Sequence, residues 1–95
     1  MFGKSSGEAS AQKLEEMKNL GPISAHRLRA IGIGTPDDLR RLGAVEAYAQ
    51  LKRAFPDQTT QIALYALHGA LLDVRWYELS DEVSAALRSA AARRA

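Results

Sequence analysis

Apolar residues recur every three or four positions through most of this chain, and glycine or proline interrupts them at short intervals. That spacing predicts short amphipathic helices separated by tight turns. A first helix is expected from about Ala11 to Asn19, with Leu14, Met17 and Leu20 on one side and Lys13, Glu15, Glu16 and Lys18 facing water. Gly21-Pro22 ends it. Pro22 suits the first position of the next helix, where a missing N–H costs nothing. That helix should reach about Ile31, with Ala25, Leu28 and Ile31 inward. Gly32 stands where a left-handed residue closes a helix, and Ile33 behind it can pack on Leu28, as a Schellman ending favours.

The sharpest local signal is Thr35-Pro36-Asp37-Asp38. It offers a capping hydroxyl, a proline at the first helical position and two carboxylates in the positively polarised first turn. Leu39 and Leu42 form the inner side of the short helix that follows, and Gly43 breaks it. Ala44, Tyr48, Leu51 and Phe55 repeat at helical spacing up to Pro56. Asp57 can cap a fifth helix, near Gln58 to Leu72, which is apolar on almost every side and should be the most buried. Trp76 and Leu79 then fold back. Ser80-Asp81-Glu82 opens a last helix carrying Val83, Leu87, Ala90 and Ala91, with Arg93-Arg94 at its negative pole. No alternating strand pattern is present. The chain reads as all-α, a compact bundle of five to six short helices. Residues 1–9, rich in glycine and serine, form a flexible N-terminal segment, and 10–95 form one domain.

Composition narrows the chemistry. Of 95 residues, 46% are hydrophobic and 25% charged, as in ordinary globular domains. There is no cysteine, which excludes disulfides, thiolate metal sites and thiol catalysis. No stretch reads as a signal peptide or membrane span, so a soluble, cytoplasmic protein is expected. Between Leu20 and Leu79, seven Lys/Arg face six Asp/Glu, so any contact with a polyanion needs a local patch. Arg40-Arg41 with Lys52-Arg53 forms one basic cluster, read as a solvated helix face. Tyr48, Tyr65, Trp76 and Tyr77 are spaced as core and rim residues, not as a stacking platform.

Catalysis finds no constellation. His26 reads as a surface residue and His68 as a core or interface residue, and neither has a partner at metal-ligand spacing. Ser24 lacks a nucleophile elbow. Asp37 and Asp38 diverge on a helix and do not form an acid–base pair. No cofactor, metal or small-molecule substrate is implied, and the chain reads as non-enzymatic.

The segment Asn-Leu-Gly-Pro-Ile-Ser-Ala-His-Arg-Leu, Asn19 to Leu28, carries more. In helix-hairpin-helix elements, a glycine-bearing turn presents amide N–H groups at a helix start to a phosphate, and a small alanine lets the helices approach. Leu20, Gly21, Pro22 and Ala25 fit that pattern. Asn19 replaces the first glycine and, as an asparagine, tolerates a left-handed backbone. Ile23 stands where a cation would help a phosphate bind. Two readings follow for Gly21, Ile23, Ser24, Arg27 and Arg29: contact with a double-stranded DNA backbone, or a protein partner that includes a second copy of the chain as a homodimer.

Several spaced motifs from about Lys18 to Leu79 resemble the C-terminal domain of the TfoX/Sxy family of bacterial competence regulators. They are the Asn19-Leu20-Gly21-Pro22 turn, the Gly32-Ile33 step leading through Thr35 to Asp38-Leu39, Leu42-Gly43-Ala44-Val45 with Ala47-Tyr48, the helix around Leu64 to Leu71, and the trailing Trp76 and Leu79. The resemblance implies a helical domain with helix-hairpin-helix character and a transcription-linked role in DNA uptake, exercised by assisting a transcription factor. It supplies no catalytic residue. Family members carry another domain before this one, so the chain reads as a stand-alone domain of this type or as a fragment.

Overall fold

The computed structural model describes residues 12–94, and among these it is all-helical, with five α-helices, two 3-10 turns and no strand. The helices are α1 (Pro22–Ala30), α2 (Pro36–Leu42), α3 (Ala44–Ala54), α4 (Gln61–Leu72) and α5 (Asp81–Arg94). The 3-10 turns are Leu14–Glu16 and Trp76–Glu78. The expected flexible segment at 1–9 lies outside the described residues, as does the start of the first expected helix.

The remainder of that first helix is corrected. Only one 3-10 turn forms, because Met17 is extended (φ −75°, ψ 148°) and Asn19 is left-handed (φ 71°). The backbone instead bonds at i→i+3: the Met17 N–H donates to Leu14 O, and the Leu20 N–H to Met17 O. Leu14, Met17 and Leu20 are nonetheless all buried. Their strict spacing of three suits this tighter winding better than an α-helix, whose face drifts at that period. Among the described residues, the hairpin at Gly21-Pro22 therefore joins a single turn to a helix, and a two-helix hairpin is not formed there.

Helix ends follow local chemistry closely. Past α1 the Ile33 N–H donates to Leu28 O and the Gly32 N–H to Arg29 O, with Gly32 at φ 90°, which is the Schellman arrangement. Ile33 is buried in the same cluster as Leu28. Thr35 caps α2 by accepting from the Asp38 N–H at 3.1 Å. Ser80 accepts from the Val83 N–H in the same way before α5. The α4 start is later than expected. Asp57 does not cap it; Thr60 is the N-cap, and the preceding loop closes α3 instead. There the Thr59 hydroxyl donates to Phe55 O, and Lys52 Nζ donates to the carbonyls of Pro56 and Thr59.

Asp38 has a second task, since its Oδ2 accepts from the Gly34 N–H at 3.0 Å. That bond, supported by Thr35 and Arg41 and opposed by partial burial, holds its carboxyl below the usual aspartate range. A lowered folded pKa means the stabilisation is full above the unfolded value of about 4 and fades as pH falls through the folded value. Asp38→Asn is expected to melt below the parent at neutral pH, with the gap narrowing as pH falls below the unfolded value of about 4 and through the lowered folded value. Paired thermal melts across pH check this, and a gap that persists in acid would refute it.

The core runs through Leu14, Leu28, Leu39, Leu51 and Leu67. Transfer of each fully buried leucine from water contributes about 2 kcal/mol. α3 lies against both α4 and α5 and is the hub of the packing. α4 buries Leu64, Ala66, Leu67, Gly69 and Ala70, as its composition predicts, although Ile62 and Leu72 at its ends are about half exposed.

Candidate interaction surface

The surface begins at the turn before α1. Asn19 adopts the left-handed conformation, and its side chain is an anchor. Nδ2 donates to Val74 O at 2.9 Å and to Ala66 O at 3.3 Å, while Oδ1 accepts from the Trp76 N–H at 3.0 Å. One amide thus ties the turn to α4 and to the strap leaving it. Gly69 makes room for this: a Cβ there would lie 2.6 Å from Asn19 Nδ2 and 2.7 Å from Val74 O. Asn19 was legible as a left-handed turn residue. Its cross-chain bonds span 47 to 57 residues and carry no local signal.

From this anchor α1 projects. Gly21 is the N-cap and has no side chain to cap with, so the first-turn amides of Ile23 and Ser24 lack such a partner. Ala25 is fully buried and permits close packing, as expected. Ile23 is 66% exposed. Ser24 is half-buried at the rim of a small pocket of about 50 Å³, floored by Leu20, Leu28, Leu51 and Leu67.

The two arginines do not converge as a phosphate clamp: Arg27 lines the same small pocket as Ser24, and Arg29 does not. Residues two apart on a helix point about 200° apart. The Arg27 guanidinium lies 5.8 Å from the centre of the Phe55 ring, within cation–π range. Arg29 turns the other way and donates to Glu15 Oε1 at 2.5 Å. That hydrogen bond, with the attraction of the same guanidinium, lowers the Glu15 pKa against a small burial penalty. Gly21, Ile23 and Ser24 therefore share one end of α1, Arg27 stands a turn away over an aromatic ring, and Arg29 is neutralised elsewhere.

The second basic cluster is also divided. Arg40 pairs with Asp37 at 2.7 Å and Arg41 with Asp38, so both are internally balanced on α2. Lys52 and Arg53 instead line a cleft of about 270 Å³ with Arg94 of α5. Of the aromatic residues, Tyr65 stacks on Trp76 with ring centres 6.4 Å apart, and Tyr77 meets Trp76 edge-on while 68% exposed. His26 is exposed and His68 half-buried. Among the described residues no three His, Asp or Glu side chains are grouped to hold a metal, and no helix is long and apolar enough to cross a membrane.

Comparison with known proteins places this arrangement. The profile of the TfoX C-terminal domain family matches residues 10–91. The triclinic crystal form of an uncharacterised protein from Listeria monocytogenes is similar at 30% identity and a TM-score of 0.76, covering 81% of this chain and 86% of that one. A tetragonal crystal form of a Listeria monocytogenes protein of unknown function gives 29% identity and a TM-score of 0.76, covering 84% of this chain and 98% of that one. Among curated proteins, none matches.

Proposed function

The chain belongs to the TfoX C-terminal domain family, and from that membership we propose that it is a non-enzymatic interaction module whose α1 start meets a protein partner. The observation that carries this reading is Ile23. It is a large apolar side chain, 66% exposed, in the first turn of α1. A phosphate-binding hairpin is favoured by cations beside its amides. Here Arg29 is spent on Glu15 and Arg27 rests on Phe55. The transcription-linked role implied for the family is compatible with a module that contacts another protein and leaves DNA recognition to that partner.

The experiment compares Ile23→Ser with Arg27→Ala/Arg29→Ala. Sedimentation of the unmodified chain over a range of concentrations reports self-association, and anisotropy with labelled duplex DNA at low salt reports backbone contact through the hairpin. The protein reading expects Ile23→Ser to weaken partner capture or self-association about tenfold, the effect of losing a small apolar anchor. It expects the double arginine variant to leave any DNA signal unchanged. A DNA signal that falls with the two arginines, together with unaltered protein contacts in Ile23→Ser, would reverse the assignment.

A further inference from the structure

The chain carries thirteen Lys/Arg and eleven Asp/Glu, a formal excess of two. Tertiary packing gathers three of these cations in one place. Lys52 and Arg53 near the end of α3 and Arg94 at the end of α5 line a single cleft of about 270 Å³, walled by Tyr48, Ala49 and Ala91. The carboxylate beside it is Glu46, which pairs with Arg94. Three cations against one carboxylate leave ten against ten over the rest of the chain. An anion approaching this nearly neutral domain meets a local excess of positive charge here.

The groups differ in how free they are. Lys52 Nζ already donates to the carbonyls of Pro56 and Thr59, which fixes its charge against the loop after α3. Arg94 is oriented by Glu46, itself held by Gln50 Nε2 at 3.0 Å. Arg53 is exposed and forms no ion pair among the described residues, so its planar fork of donors is available. Tyr48 is half-buried against the core and gives the cleft a rigid aromatic side. A free guanidinium, two fixed cations and an aromatic wall suit a phosphate ester better than a carboxylate alone, because a phosphate presents several acceptor oxygens to diverging donors.

We propose that the α3–α5 cleft binds a phosphate ester, with Arg53 as the principal ligand-binding residue and Lys52 and Arg94 supplying the field. Two sources carry such an ester, a free nucleotide and the backbone of a nucleic-acid strand. The chemistry at the cleft is the same in both. The site is separate from the α1 surface and does not rest on the protein-partner reading.

The test uses the full chain at low salt with two probes, adenosine monophosphate and a short fluorescein-labelled DNA duplex. Arg53→Gln removes the free fork without touching a hydrogen bond of the fold, and Ala49→Glu places a carboxylate on the cleft wall at a helix-compatible position. Binding of at least one probe is expected, weakened about tenfold by Arg53→Gln and lost in Ala49→Glu. For the duplex, the slope of log affinity against log salt should fall by about one in Arg53→Gln. Binding of the mononucleotide assigns a small-molecule source, and binding of the duplex alone assigns a strand. Melting temperatures of both variants are measured alongside, and ring resonances of Tyr48 report occupancy directly. No binding of either probe, equal binding by the parent and both variants, or loss of binding only in Arg27→Ala/Arg29→Ala would overturn the proposal.

Discussion

Asn19→Ala is expected to lower the stability of the domain by about 3 kcal/mol, and its melting temperature by roughly 15 °C. The cost has two parts. Alanine at φ 71° is strained where asparagine is tolerated. The larger part is the loss of the side-chain amide, which strips Val74 O, Ala66 O and the Trp76 N–H of a partner at a partly buried site. Orphaned backbone groups cost about 1–3 kcal/mol each when water cannot replace the partner. Asn19→Gly separates the two parts, because glycine keeps the left-handed backbone and removes only the bonds. Asn19→Asp keeps the acceptor for Trp76 but sets a carboxylate against two carbonyls, and should be no better than alanine. Thermal or urea unfolding of the three variants checks the order. A melting temperature for Asn19→Ala within about 3 °C of the parent would sink the anchor as described.

Gly69→Ala is the second large effect, and its direction opposes propensity. In a helix interior, alanine is about 1 kcal/mol better than glycine. Here the added Cβ would meet Asn19 Nδ2 at 2.6 Å and Val74 O at 2.7 Å. One atom is part of the anchor and the other is backbone, so neither can give way without breaking the bond between them. Overpacking and the displaced hydrogen bonds outweigh the propensity gain, and a net loss of about 3 kcal/mol is expected. The two sites are coupled. In an Asn19→Ala background the nearer clash is gone while the Val74 carbonyl remains. Gly69→Ala should therefore cost at least about 1 kcal/mol less there than in the parent. A double-mutant cycle by urea denaturation measures this, and strict additivity would show that the two residues do not act on one contact.

These two residues matter for function through geometry. Asn19 ties the turn that precedes α1 to α4 and to the strap after it, and so bears on where Ile23 is presented. A variant that keeps the fold but loosens this clamp, such as Asn19→Gly, should impair the α1 surface more than the α3–α5 cleft. The cleft is built by α3 and α5 alone.

Sequence and tertiary structure divided the work along a physical line. Features closed within about four residues were legible in advance: the Thr35 cap, the Gly32 ending, the Ser80 cap and the left-handed Asn19 depend on backbone stereochemistry and on hydroxyls that reach only their own turn. The all-helical class followed from periodicity, and the burial of α4 from its almost wholly apolar composition. The first helix misled because the spacing of Leu14, Met17 and Leu20, though better matched to a 3-10 turn, is still compatible with one face of a short α-helix, and the left-handed turn at Asn19 that ends the segment is bonded to partners about fifty residues away. The four basic residues are exposed, as a solvated helix face requires, but they do not form one cluster, for the same reason. Arg40 and Arg41 stand near Lys52 and Arg53 in the chain, yet Asp37 and Asp38 neutralise the first pair while α5 brings Arg94 to the second. The sequence by itself determined the all-helical class and most helix ends from Pro22 onward, since those interactions are local. Only the tertiary structure decided which amide braces the hairpin, which cations remain free and which apolar side chain is left outside, because each depends on groups that meet only after the helices have packed.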